Sequence, residues 1–132
     1  EQFGDRVKYW LTINEQNMMI LFGDAVGTLG SGEDARRTLY QQNHHMLLAQ
    51  ARAMALCHEL VPNAFIGPAP NICSIYPRTC APEDLLAAQD FQALRNWLYI
   101  DAAVYGEYNP VAWNILRRKG AEPVILPGIW TY

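Results

Sequence analysis

Hydrophobic and polar positions near the start of the chain predict a strand that ends in a polar pair. Residues 7–13 are aromatic, aliphatic or β-branched apart from one lysine, and they include no Gly or Pro. This composition is typical of a buried strand. Asn14 and Glu15 follow directly. Glu15 is therefore either a carboxylate placed for chemistry at a strand end or an ordinary charge in water, since Glu is mostly exposed.

A long amphipathic helix follows, after a glycine-containing loop. Four glycines between residues 23 and 32 indicate a loop that either turns at the surface or borders a ligand. The helix is predicted over residues 31–60, with Ser31 as its cap. His44 and His45 lie on it, and we interpret them as packed or solvated rather than catalytic. Apolar residues at intervals of three and four predict one buried stripe, formed by Met46, Ala49, Ala53, Leu56 and Leu60.

The second half of the chain predicts one more strand and two more helices. Residues 65–68 begin as a strand, and Asn71 follows at its carboxyl end, where it is either a site residue or a turn residue. Residues 82–106 predict a helix with an apolar stripe, and Asn109 caps another helix that ends at Gly120. The strand, helix, strand order predicts two adjacent parallel strands joined by a right-handed crossover. No regular structure is predicted for the tail 123–132.

Composition and charge exclude several classes of protein. The chain has 132 residues, a net charge of -3 and 51% hydrophobic residues, which suffices for a single core. Its basic residues are scattered except at Arg117–Lys119, which complements a helix end, so no nucleic-acid surface is predicted. We find neither a signal peptide nor an apolar run of membrane-spanning length. Three cysteines without C-x-x-C spacing predict reduced thiols in a cytoplasmic protein, with no metal and no cofactor.

Four segments resemble a known enzyme family. Residues 10–15, Trp-Leu-Thr-Ile-Asn-Glu, resemble the fourth-strand signature T-F/L-N-E-P of family 1 glycoside hydrolases. Residues 40–60, 64–71 and 96–113 are similar, in order, to that family's next helix, its fifth strand and a helical segment of its 6-phospho-β-glucosidase members. The resemblance implies an α/β fold: a partial (β/α)8 TIM barrel, from about strand 4 to the helices before strand 6. A complete barrel needs about 250 residues, so residues 1–132 are expected to be a single fragment of the barrel domain.

The resemblance also implies roles for three residues. Glu15 corresponds to the general acid/base, and Asn14 and Asn71 to residues that bind the substrate. The activity implied is that of a retaining β-glycosidase acting on a small sugar or sugar phosphate, above all on 6-phospho-β-glucosides. Gln16 stands where many members have Pro, which favours the phospho-sugar branch.

Two features of the family are missing from the sequence. The nucleophile motif T-E-N-G does not occur, and neither do the late phosphate-binding residues. We therefore expect the isolated chain to be inactive. The alternative is a non-catalytic, truncated βα subdomain with at most weak sugar binding or an assembly role. Because two isolated parallel strands leave edges open, self-association of the fragment is expected.

Overall fold

The computed structural model describes residues 2–127 and consists of one two-stranded sheet with helices packed around it. A π-helical turn, Ala93–Trp97, connects the α-helix Pro82–Gln92 to the α-helix Leu98–Tyr105, and the three form one continuous rod. None of the helices in the described part of the chain is long and apolar enough to span a membrane. The elements are β1 (Tyr9–Asn14), α1 (Gln16–Leu21), α2 (Gly23–Val26), α3 (Ala35–Leu60), β2 (Phe65–Ala69), α4 (Pro82–Gln92), α5 (Leu98–Tyr105) and α6 (Pro110–Arg118).

The two strands are adjacent and parallel, which confirms that prediction. Tyr9 is paired with Phe65, and Asn14 with Ala69, with an irregularity between Leu11 and Asn14. Pro68 lies opposite this irregularity and has no N–H to donate to a regular ladder. The carboxyl ends of β1 and β2 therefore lie side by side, at the edge where the candidate residues follow.

The prediction that β1 is buried is wrong for one face of the strand. Tyr9 and Leu11 are 72% and 74% exposed, whereas Trp10 and Thr12 on the opposite face are partly buried. Thr12 Oγ1 donates to Gln50 Oε1 of α3 at 2.8 Å, so this second face packs on the helix. β1 therefore carries apolar side chains on both faces, but residues 2–127 bury only one of these faces.

The segment after β1 is more helical than predicted. Residues 17–21 form most of α1, where Ile20 packs into the core, and α2 follows after Phe22. The glycines still end helices and form turns, since Gly27 and Gly32 have φ angles of 77° and 102°. Helix α3 begins at Ala35 rather than near Ser31, because the backbone at Gly32 is left-handed. Ser31 is therefore not its cap.

The buried face of α3 is not the predicted apolar stripe. The stripe is exposed or only partly buried, and Leu56 and Leu60 are each 49% exposed. The interval of three and four residues predicted the helix correctly but the wrong face. The reason is that α3 buries polar side chains that bond to other elements. The buried residues of α3 are Leu39, Asn43, His44, Leu47 and Gln50.

The C-terminal helices close the core as predicted. The rod from Pro82 to Tyr105 ends at Gly106, whose φ of 70° suits a glycine. Its residues Leu98, Tyr99 and Ala102 share a core with α3 and α6. The apolar stripe predicted for this rod consists of Leu94, Leu98, Ala102 and Tyr105, and its last member, Tyr105, is 73% exposed and so is not part of that core.

The cap of α6 is also as predicted. Asn109 Oδ1 accepts from the N–H groups of Val111 and Ala112, and Gly120 follows the helix with a φ of 59°. Of the tail, residues 123–126 form no regular structure and Pro127 lies in a turn. Residues 128–132 lie outside the described residues.

Candidate active site

Glu15 and Asn71 meet at the carboxyl edge of the sheet. The N–H of Glu15 donates to Ala69 O at 2.8 Å, which extends the β1–β2 pairing by one residue. Asn71 Nδ2 donates to Glu15 Oε1 at 2.9 Å. The side chains that follow the two strands therefore form one polar unit. Asn14, at the end of β1, is exposed beside them.

The backbone of Glu15 is unusual. It has φ 49° and ψ 42°, and among residues 2–127 it is the only residue other than glycine with a positive φ. Such a conformation costs about 1–2 kcal/mol for an L-residue, and outliers of this kind cluster at functional sites. The turn lets the chain pass from β1 directly into α1, because Glu15 O accepts from the Met18 N–H at 2.9 Å. The carboxylate is thereby held at the tip of the strand.

Two residues that the sequence analysis did not single out support this unit. Arg95 Nη2 donates to Asn71 Oδ1 at 2.6 Å from the π-helical turn. Asn17 is fully buried, and its Nδ2 donates to Asn71 O at 2.9 Å and Arg95 O at 3.0 Å. Its Oδ1 accepts from the Asn71 N–H at 3.0 Å. These contacts span up to 78 positions of sequence, so no local pattern indicates them.

A second polar layer lies between α1 and α3, beneath the strand tips. Gln16 is buried, and its Nε2 donates to Asn43 Oδ1 at 2.7 Å and to Asn43 O at 3.2 Å. Gln16 thus fixes the first turn of α1 to α3, directly after Glu15. These two buried hydrogen bonds constrain how α1 leaves the strand, although Asn43 Nδ2 itself has no hydrogen-bond partner among residues 2–127.

His44 is packed in the core, which is one of the two alternatives left open by the sequence, packed or solvated. Its Nδ1 lies 3.1 Å from Tyr108 Oη, and their rings stack with centroids 6.0 Å apart. Burial, and then the charge of His45, lower the pKa of His44 below its ordinary value of 6.5. Burial also raises the pKa of Tyr108. His45 itself is exposed.

The site is open in the described part of the chain. Glu15 and Asn14 are both exposed. Within residues 2–127, no three His, Cys, Asp or Glu side chains are grouped closely enough to hold a metal ion. The three thiols are free.

Comparison with known proteins shows the class of this fold. The structure superposes on a psychrophilic β-glucosidase, BglU from Micrococcus antarcticus, with a TM-score of 0.77 and 32% identity, over 97% of this chain and 27% of that one. A family 1 β-glucosidase from Thermotoga maritima gives a TM-score of 0.75 at 26% identity, over 98% of this chain and 28% of that one. The fold is thus that of part of a glycosidase β/α barrel.

Sequence relationships then define the family. The profile of glycosyl hydrolase family 1 matches residues 1–127. The aryl-phospho-beta-D-glucosidase BglC of Bacillus subtilis is 35% identical over 128 residues, and the 6-phospho-beta-glucosidase AscB of Escherichia coli is 35% identical over 130. Each match covers 97% of this chain and 27% of the relative. The chain therefore belongs to glycosyl hydrolase family 1, as its motifs indicated, and spans about a quarter of these relatives' length.

Proposed function

We propose that this chain is the segment of a retaining β-glycosidase that carries the general acid/base, Glu15, and that the substrate is a 6-phospho-β-glucoside. The carrying observation is the carboxylate of Glu15 at the strand tip, bonded to Asn71 across the sheet at 2.9 Å. The names of BglC and AscB, both phospho-glucosidases, support the phosphorylated substrate. We further propose that β1 and β2 are the fourth and fifth strands of the barrel, in a cytoplasmic enzyme.

Each residue then has a distinct part in the reaction. Protonated Glu15 donates its proton to the oxygen of the departing aglycone, while a second carboxylate attacks the sugar. The resulting carboxylate of Glu15 then takes a proton from the water that releases the sugar. Asn14, exposed beside Glu15, hydrogen-bonds the sugar's 2-hydroxyl, a contact that strengthens in the transition state. Asn71 contacts the substrate less directly and holds Glu15 in place.

The second carboxylate has to come from another part of the barrel. In retaining enzymes it lies about 5–5.5 Å from the acid/base, and the family's nucleophile motif does not occur in this sequence. This fact and the exposure of Glu15 favour the second candidate function, a non-catalytic βα subdomain. The two proposals differ in one respect: only the first requires Glu15 to transfer a proton.

The test compares leaving groups in a complete barrel that carries this segment in place of the matched stretch of BglC. Glu15→Gln should lower kcat/KM for an alkyl 6-phospho-β-glucoside by about 100-fold or more, the usual contribution of general acid catalysis. A nitrophenyl 6-phospho-β-glucoside needs little protonation and should lose less than about tenfold.

Two controls accompany this comparison. Glu107→Gln changes an exposed carboxylate in the same way and should leave both substrates unaffected. The isolated chain should show no turnover with either substrate. Equal losses for the two leaving groups in Glu15→Gln would exclude Glu15 as the acid, and turnover by the isolated chain would exclude a nucleophile outside it.

A further inference from the structure

The Arg95 side chain determines which way the Asn71 amide faces. Arg95 Nη2 lies 2.6 Å from Asn71 Oδ1. A guanidinium has only donors, so the amide must turn its oxygen toward Arg95 and its NH2 group away. That NH2 group then lies 2.9 Å from Glu15 Oε1. The orientation of this amide is thus set by chemistry, although an Asn amide is otherwise ambiguous.

The amide in turn determines where the acidic proton of Glu15 is. Oε1 accepts from Asn71 Nδ2, and the carbonyl oxygen of a carboxylic acid is a better acceptor than its hydroxyl oxygen, so this bond favours the hydrogen of the protonated acid on the other oxygen, Oε2. We propose that Arg95 is a positioning residue that, through Asn71, keeps the transferable proton of Glu15 on Oε2, the oxygen free to meet the leaving group. This inference rests on the proposed role of Glu15 as the acid.

The backbone around Asn71 does not depend on Arg95. Asn17 holds the Asn71 N–H and C=O through its own amide. Without Arg95, the Asn71 side chain could rotate by half a turn and present Oδ1 to Glu15. The proton would then be shared with Oδ1 and withheld from the leaving group. The loss of Arg95 should therefore affect proton transfer without displacing the loop.

The setting of Arg95 indicates a specific purpose. It lies within the π-helical turn Ala93–Trp97, and such turns are frequent at functional sites. Its Nε is buried without a hydrogen-bond partner among the described residues, which is unfavourable for folding. An arginine kept purely for stability would be expected to satisfy this group.

Nuclear magnetic resonance of the 15N-labelled chain tests the orientation directly, with Leu11→Lys present in every sample to keep the chain monomeric. The Asn71 Nδ2 signal is assigned by its absence in Asn71→Asp. We expect the proton that faces Glu15 to exchange slowly with water, and to exchange about tenfold faster or more in Arg95→Met. Arg95→Lys keeps a donor and should preserve the protection. Arg118→Met, which removes an exposed arginine paired with Asp90, is the matched control and should change nothing.

Kinetics in the complete barrel test the consequence, and they decide the matter if Arg95→Met unfolds the isolated chain. Arg95→Met should lower kcat for the alkyl substrate by about tenfold, a part of the usual acid contribution, with KM and the nitrophenyl substrate nearly unchanged. Arg95→Lys should recover most of this loss. Asn71→Asp keeps the turn but removes the donor, and it should show the same selectivity for the alkyl substrate.

The proposal is overturned if the Asn71 amide stays equally protected in Arg95→Met. It is also overturned if both substrates lose activity equally, because that pattern indicates packing rather than proton placement. Failure of the proposed function is distinguishable: Glu15→Gln would then have no dependence on the leaving group, while the amide measurement would still report the orientation.

Discussion

At the scale of the residue, Glu15 owes its place to bonds on both sides of a strained backbone. Its N–H continues the sheet to Ala69, and its C=O begins α1 by accepting from Met18. The left-handed backbone of Glu15, with a φ of 49°, turns the chain from the direction of β1 into that of α1. Strain of this size persists when the surrounding structure determines it. The position of the carboxylate is thus determined by the surrounding structure and not by the intrinsic backbone preference of a glutamate.

The histidine in the core makes a prediction about stability and pH. Burial lowers the pKa of His44 in the folded state, so the unfolded chain binds more protons just below pH 6.5. The free energy of unfolding should therefore be fully retained above about pH 6.5 and should fall as the pH drops toward the folded-state pKa. Urea unfolding from pH 7.5 to 5 measures this slope, which should be shallower in His44→Gln.

The control for this slope is His58→Gln. His58 lies near the end of the same helix and is exposed, so its removal should leave the slope close to that of the parent chain. If His44→Gln and the parent chain lose stability in parallel on acidification, the burial of His44 does not govern the pH dependence.

At the scale of the element, the sequence predicted the strands and helices but not every face that they bury. Spacing indicated α3 and the rod from Pro82, and cap chemistry placed α6. The buried face of α3 could not be predicted because Asn43, His44 and Gln50 bury polar groups, whose partners lie on other elements. Hydrophobic spacing predicts that polar residues of a helix face solvent, whereas these three polar residues of α3 are buried.

The residues of the candidate site were likewise predictable only in part. Asn14 ends β1, and Glu15 and Asn71 come shortly after the two strands, where local sequence is informative. Arg95 and Asn17 join the site only through contacts 24 and 54 positions from Asn71. Asn17 lies in α1 and Arg95 in the π-helical turn, and no local pattern marks either, so only the packing of these elements on the strand tips reveals them.

The cap of α6 makes an element-scale prediction. Asn109 Oδ1 accepts from two backbone N–H groups, and its Nδ2 donates to Asp101 at 2.7 Å. Asn109→Ala should lower the free energy of unfolding by about 1–2 kcal/mol. Asn114→Ala, on the exposed face of the same helix, should change it by less than about 0.5 kcal/mol. Similar effects of the two substitutions in urea unfolding would show that the cap contributes little.

At the scale of the whole molecule, large apolar side chains remain uncovered on the sheet and on α3. Tyr9 stacks on Phe65 with centroids 5.4 Å apart, yet the pair and Leu11 are 59–74% exposed. The apolar stripe predicted on α3, which includes Leu56, is also largely exposed to solvent. Open strand edges and apolar patches recruit other chains. In a complete barrel, further strands and helices would cover these surfaces.

We therefore expect the isolated chain to self-associate. Size-exclusion chromatography with light scattering at low micromolar concentration should give a mass above that of the 15.0 kDa monomer. Leu11→Lys should shift the distribution toward monomer, because it places a charge on the exposed sheet face. Gln42→Lys adds the same charge at an exposed polar position and should not. A compact monomer that unfolds cooperatively would contradict this expectation.

The central claim is that Glu15 is the acid/base of a retaining glycosidase, and anion rescue tests it most directly. In the complete barrel, Glu15→Ala should cleave a nitrophenyl 6-phospho-β-glucoside with a low kcat, because water attacks the glycosyl intermediate without a base. Azide needs no such base, so it should raise kcat at least about tenfold and yield the β-glycosyl azide. No rescue, or an α-glycosyl azide, would contradict the assignment of Glu15.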